Sequence, residues 1–489
     1  MRLRSRILAC ASSLLLLSGC SFGLGSLTGD DSGPVPTSTP DSATPSTASS
    51  DSSGGGLGGL IGLGGSSSSG SGAKALVVGD EPYAVKVGAH ILQQGGSAAD
   101  AATAMYFALA VTYPVAAGLG GGGICILRDP ATNHTEEFDF LARDTAGGGA
   151  YAVPGNVRGF ALMQGLYGAL PWQRDVAPGE GYAAAGFPIS RALAARIATV
   201  KDVIRLDAAL AAEFLDESGA AKAAGTVVAN PDLAATLAIV RTGGPNAFYT
   251  GNLGARILAY SSQQGGAIAV PEFARYRATQ TSPQAIQLGN QYVLLPSEHT
   301  GAGAFAGALF ETLGRAMDTN TGAGDLQAAI VVSVKQALAR FSVANLPQDL
   351  GATGFAATDA NGQAVACAVT MNGPFGSGHN AEGTGVTLAR APSSGAAGLA
   401  AAFITPVIAT DSGGALTFAG AGAGGPNATA SLGFALGRLA QGAAVSRRGD
   451  LRSTGVAPFD TINAIVCQNG ACAALPDPEA NGLGASGGR

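Results

Sequence analysis

Apolar positions recur at helical spacing through the first half of the folded region and fall into short strand-like runs in the second half. Residues 75–78 form a brief apolar run that predicts a strand. Residues 83–94 carry apolar side chains three and four apart, which predicts a helix, and Gly95-Gly96 ends it as a C-cap pair would. Residues 98–111 are an alanine-rich helix whose small side chains allow close packing, and Pro114 stops it. The glycine run 118–123 leads into Ile124-Cys125-Ile126-Leu127, a buried strand by its composition. Such a run cradles phosphate when a helix follows it. Here the helix comes first, which argues against a phosphate loop. Helical patterns dominate to about residue 340, and short strands with turn residues between them dominate after 353.

The first 73 residues follow neither pattern. Arg2, Arg4 and Arg6 precede an apolar stretch, residues 7–17, too short to span a bilayer well. Leu17-Ser18-Gly19-Cys20 closes it and resembles the lipobox of bacterial lipoproteins. That resemblance implies a signal peptide over 1–19, a lipid on Cys20 that anchors the chain to a membrane, and a place in the cell envelope. With Ser21 rather than aspartate after the cysteine, it implies the outer membrane. The competing reading is an ordinary secretory signal with Cys20 incidental. Residues 20–73 are Ser, Gly, Thr, Pro and Asp, a composition that buries too little apolar surface to offset its ordering entropy. They are expected to form a disordered tether. Later apolar runs are broken by Gly, Pro and polar residues, so none reads as transmembrane.

The 489 residues are 46% hydrophobic and 12% charged, enough for one large core or two fused lobes. A net charge of −6, without a Lys/Arg block, argues against a nucleic-acid partner. His90, His134, His299 and His379 show no metal-ligand spacing, so no metal and no cofactor is expected. Cys467 and Cys472 flank Gln468-Asn469-Gly470-Ala471, an Asn-Gly hairpin signal, and facing cysteines there predict a disulfide in an oxidising compartment. Cys125 and Cys367 lie in apolar strand-like runs and read as buried thiols, with pairing between them left open.

Several motifs then fall in one order. Gly95-Gly96-Ser97-Ala98-Ala99-Asp100, the glycine run 118–123, Val153-Pro154-Gly155-Asn156-Val157-Arg158-Gly159 and Tyr167-Gly168-Ala169-Leu170-Pro171-Trp172 are followed by Asn230-Pro231-Asp232-Leu233 and Gly244-Pro245-Asn246-Ala247-Phe248-Tyr249. Asp359-Ala360-Asn361-Gly362, Asn372-Gly373-Pro374-Phe375-Gly376-Ser377-Gly378 and Leu475-Pro476-Asp477-Pro478 complete the set. From about residue 74 onward the chain resembles the gamma-glutamyltransferases, also called gamma-glutamyl transpeptidases or glutathione hydrolases. The resemblance implies an α+β fold, the four-layer αββα sandwich of the N-terminal-nucleophile hydrolases. It implies a large-subunit-like region over 74–351 and a small-subunit-like region over 352–489. It also implies a γ-glutamyl small molecule as partner. In that family the chain cuts itself ahead of a threonine. The threonine hydroxyl attacks the γ-glutamyl carbonyl, with its freed amine as the base. Backbone amides stabilise the oxyanion, and an arginine with a carboxylate holds the donor.

Counting back from the small-subunit motif, Asp359, Thr370 and Asn372 stand in family register, and the nucleophile's place is Ala352. A methyl group cannot attack a carbonyl. Thr353 is the next hydroxyl and the one catalytic candidate in its stead. A one-residue shift in a strand aims a side chain at the other face, unless a bulge re-aims it. By the resemblance Thr370 supports the nucleophile, Asn372 and Arg143 contact substrate, and Gly424-Gly425 form the oxyanion loop. The plainer alternatives are strand-end polar groups, a solvated arginine and a flexible turn. The family's serine pair is replaced by Ala402-Phe403 and its acidic run by Val386-Thr387-Leu388-Ala389-Arg390. The linker before the cut is mostly missing. These departures lead to a reaction-silent member of the family. The alternative is an active threonine-type γ-glutamyl hydrolase or transferase that uses Thr353 after self-cleavage.

Overall fold

Two antiparallel sheets stand face to face in the computed structural model, which describes residues 75–319, 323–341, 346–453 and 458–488. The lipobox with Cys20 and the tether lie outside these described residues. The first sheet has seven strands, in spatial order Leu483–Ser486, Leu76–Gly79, Ala352–Thr358, Ala364–Thr370, Gly122–Asp129, His134–Asp139 and Thr279–Thr281. The second has six, in the order Ala471–Leu475, Thr461–Gln468, Leu416–Ala423, Ile404–Thr410, Gln291–Leu295 and Gln284–Leu288. Strands from before and after position 352 therefore share both sheets.

Each outer face is covered by helices. Helix Ala98–Thr112 is buried at every residue, as a helix apolar on all sides must be. Ser97 and Asp100 cap its start reciprocally, and the Asp100 carboxylate also accepts from the amides of Ala169 and Leu170. Met105, Phe107 and Phe160 pack with Val77, Phe355 and Cys367 on this side. On the other side, helices Gly301–Thr319, Ala323–Ala339 and Pro426–Ala440 cover the second sheet, where Phe305, Leu309 and Leu432 meet Val407 and Phe418.

Between the sheets the side chains are small. Ala352, Ala368, Ala421 and Ala423 gather with Ile124 and Ile404, and Ala356 lies farther along the layer. A Cβ on Gly354 would stand 2.8 Å from that of Ala421, so a larger residue at 354 would force the sheets apart. Alternation along the strand 352–358 follows: 352, 354 and 356 face the second sheet, while Phe355 and Ala357 join the helical core. This is the α+β, αββα layering that the motif order implied.

The hairpin of strands 461–468 and 471–475 turns at Asn469 and Gly470, with φ of 53° and 79°. Both lie in the left-handed region, as the two-residue turn favoured by Asn-Gly requires. Cys467 faces Cys472 across it and the two are bonded. Cys125 and Cys367, read as thiols, are also bonded to each other. They are register partners on adjacent strands, Cα atoms 4.1 Å apart, a pairing that apolar strand runs alone do not disclose. Among the described residues no helix is long and apolar enough to cross a membrane.

Candidate functional site

The strand 352–358 begins directly after a forced turn. Gly351 has φ of 63°, and a Cβ on it would lie 2.1 Å from the backbone of Gly373, so no other residue fits without displacing that loop. The Gly351 carbonyl accepts from the Met371 amide at 2.9 Å and from Thr370 Oγ1 at 3.0 Å. Thr370 Oγ1 accepts in turn from the Asn372 amide at 2.9 Å. Asn372 sits in the left-handed region at φ 56° and donates through Nδ2 to the Arg390 carbonyl at 2.9 Å. Its Oδ1 is buried without a donor among the described residues. Thr370 thus meets the 351–352 bond directly, and Asn372 is linked to it through Thr370.

The other side of that bond is closed by Arg196, on helix Arg191–Ile197 and only 2% exposed. Its Nη1 donates to the Ala352 carbonyl at 3.0 Å. Its Nε donates to Asp349 Oδ2 at 2.9 Å, and its Nη2 contacts Asp349 Oδ1. The guanidinium also lies over the rings of Tyr113 and Phe459, at 5.2 and 5.4 Å. Burial opposes its charge, but Asp349 and Tyr113 outweigh that penalty and raise its pKa. Asp349 also accepts from the Gly351 amide at 2.8 Å. A forked ion pair therefore clamps both residues of the 351–352 bond.

Ala352 itself is 1% exposed, and its methyl group belongs to the inter-sheet cluster with Leu141, Ala302 and Ala421. Thr353 is fully buried. The ladder to strand 364–370 runs from Ala352 opposite Thr370 and Thr353 opposite Val369 to Thr358 opposite Ala364 without a register shift. No bulge re-aims the threonine, so its Cβ leaves the strand on the opposite face from that of residue 352. Its Oγ1 donates to Asp80 Oδ2 at 2.7 Å. Asp80 also accepts from Thr461 Oγ1 at 2.9 Å and from Asn463 Nδ2 at 2.8 Å. Burial pushes the Asp80 pKa up, these three donors pull it down, and the nearby Asp477 charge adds to the rise.

Gly424 and Gly425 precede helix Pro426–Ala440. Gly424 has φ of 104°, and a Cβ there would strike the Phe459 carbonyl at 1.9 Å. The Asp460 carboxylate packs where a Gly425 Cβ would stand, 2.2 Å from it, and accepts from the Asn427 amide at 3.2 Å. A carboxylate of the chain thus occupies the start of this helix, the kind of place where an anion is favoured. Burial pushes Asp460 up to about 6, against the Asn427 hydrogen bonds and the Arg452 charge.

Arg143 is less engaged with this cluster. Its side chain is 45% exposed, ion-paired with Asp139 at 2.7 Å and beside Tyr276. Leu141, two residues earlier, does reach the Ala352 cluster. Phe403, at the replaced serine pair, packs edge-on against Phe305. Arg390, at the end of the replaced acidic run, donates to the Gly376 carbonyl at 2.8 Å. Sequence reasoning missed Asp80, Arg196, Asp349 and Asp460. Only Asp349, two residues before the special glycine, had a positional cue. Arg196 lies 153 residues from its ion partner in an ordinary amphipathic run. Among the described residues no group of three or more His, Cys, Asp or Glu is placed to hold a metal ion.

Residues 84–326 match the family profile described as gamma-glutamyltranspeptidase. Glutathione hydrolase 7 of Mus musculus is 33% identical over 247 residues, which is 47% of this chain and 37% of that protein. The glutathione hydrolase proenzyme of Pseudomonas aeruginosa is 32% identical over 266 residues, 50% of this chain and 46% of that one. The matched part thus spans less than half the length of these relatives. A solved structure, cephalosporin acylase from Bacillus halodurans, aligns with a TM-score of 0.67 at 17% identity over 85% of this chain and 96% of that one. At that identity the likeness is one of fold.

Two outcomes follow from the clamp and its surroundings. Asp349→Ala leaves the Arg196 charge buried and unpaired, and should cost about 3–5 kcal/mol, read as a lower denaturant midpoint. Asp460 has a folded pKa above its unfolded value, so the protonated acid favours the fold. Its contribution is present below about pH 4 and is lost as pH rises through about 6. Relative to Asp460→Asn, the wild type should therefore lose stability between those values in a pH series of thermal melts.

Proposed function

We propose that this chain, whose residues 84–326 match the gamma-glutamyltranspeptidase profile, is an uncut, reaction-silent relative of that family held at the cell envelope through a lipid on Cys20. The family's reaction is γ-glutamyl transfer, or hydrolysis of glutathione and related compounds. One observation carries the reading. The nucleophile's place holds Ala352, while the adjacent hydroxyl of Thr353 is fully buried and donates to Asp80. Neither residue offers an attacking oxygen to a bound γ-glutamyl carbonyl.

Two further features support it. The Asp460 carboxylate crowds the glycine pair expected to line the oxyanion site. Arg143, the expected clamp for a substrate carboxylate, is engaged with Asp139. Loss of a nucleophile removes several orders of magnitude of rate, and what remains comes from the rest of the site.

A second reading keeps one specific point in its favour. Asp80 stands 2.7 Å from Thr353 Oγ1, which is the distance of a general base from its nucleophile. In that reading the chain cuts at 352–353 and Thr353 is acylated. A γ-glutamyl anilide assay separates the two. Wild type and Thr353→Ala should both release anilide at the buffer rate. Release by wild type that is lost in Thr353→Ala supports the active reading. For the anchor, wild type should sediment with membranes and incorporate fatty acid, and Cys20→Ala should do neither. Fatty acid retained in Cys20→Ala contradicts that assignment.

A further inference from the structure

We propose that the Cys467–Cys472 disulfide is a thiol–disulfide exchange site, reached by small thiols through the cleft that it lines. The cleft has a volume of about 670 Å³ and lies at the end of the sandwich remote from residue 352. Strand 352–358 starts at the clamp and ends at Thr358, which lines the cleft, so the two places are about 20 Å apart along the strand. The proposal therefore does not depend on whether residue 352 or 353 reacts.

The two disulfides differ in what an attacking sulfur can reach. Cys125 and Cys367 are fully buried, on adjacent inner strands of the seven-stranded sheet, beneath helical side chains. Cys467 and Cys472 are half-buried, and both line the cleft. Exchange needs a thiolate to approach one sulfur, so access selects the second bridge. The cleft walls carry Asn290, Gln291, Thr417 and Gln468, with Arg128 on one side. Asp359 and Asp411 also line it, so the amide and hydroxyl groups suit a small, uncharged polar thiol rather than an anionic one.

Opening this bridge also costs the fold little. It closes only five residues of chain, whose ends the Asn469-Gly470 turn already brings together. The Cys125–Cys367 bridge spans 242 residues. Strand Ala471–Leu475 is the outer strand of its sheet, so its opening disturbs one strand pair, that with 461–468.

The chemistry balances with two thiols. A thiolate attacks one sulfur, the S–S bond breaks, and the other cysteine leaves as a thiolate. A second thiolate then attacks the mixed disulfide. Cys467 and Cys472 end as thiols, having gained two electrons and the two protons that the thiols released. The co-reactant ends as its disulfide.

The test uses the full chain without denaturant. It is treated with 2-mercaptoethanol, alkylated with iodoacetamide, digested and read by mass spectrometry. Alkylation of Cys467 and Cys472, with the peptides of Cys125 and Cys367 still cross-linked, is expected. No alkylation before unfolding, or both bridges opening together, overturns the proposal. A thiol carried on a bulky polymer that cannot enter the cleft should give loss of exchange. Exchange undiminished with that reagent overturns the role of the cleft.

Discussion

The buried carboxylate of Asp80 joins the two sheets at the point where strand 352–358 begins. A carboxylate so far from water must find donors or be protonated. It finds three: Thr353 on the first sheet, and Thr461 and Asn463 on the second. Asn463 continues the link by donating to the Gly354 carbonyl and accepting from the Asp477 amide. The orientation of Thr353 is thus a consequence of how the sheets are joined. Turning its hydroxyl away from Asp80 would leave that buried carboxylate short of a donor.

The second constraint is the Arg196–Asp349 fork. It is a charge pair almost without solvent, and it serves the backbone on both sides of one peptide bond. Such pairs add little net stability over an apolar alternative, yet they are costly to break. Here the fork specifies geometry. Together with Thr370 it holds the entry to the strand from two sides, and Phe459 over the guanidinium ties in the loop that also carries Asp460.

Most of the fold was legible in the sequence because it rests on local patterns. The buried Ala98–Thr112 helix, the strand after the glycine run and the Asn469-Gly470 hairpin each follow from spacing or turn chemistry. Position 352 was singled out in the sequence by counting back from Asp359. The groups that fill the site were not, because they come from distant segments. Asp80 lies 273 residues from Thr353, and no pattern near Asp80 marks it as its partner. The Cys125–Cys367 bond was hidden for the same reason, since only the strand register sets the two residues opposite each other.

Whether the chain stays whole across residues 351–353 separates a silent protein from an active one. Intact-mass analysis of purified protein, held for days at neutral pH, measures this most directly. A single species with an unbroken 351–353 segment is the predicted result. A fragment beginning at Ala352 or Thr353, growing with time in the absence of protease, would contradict it.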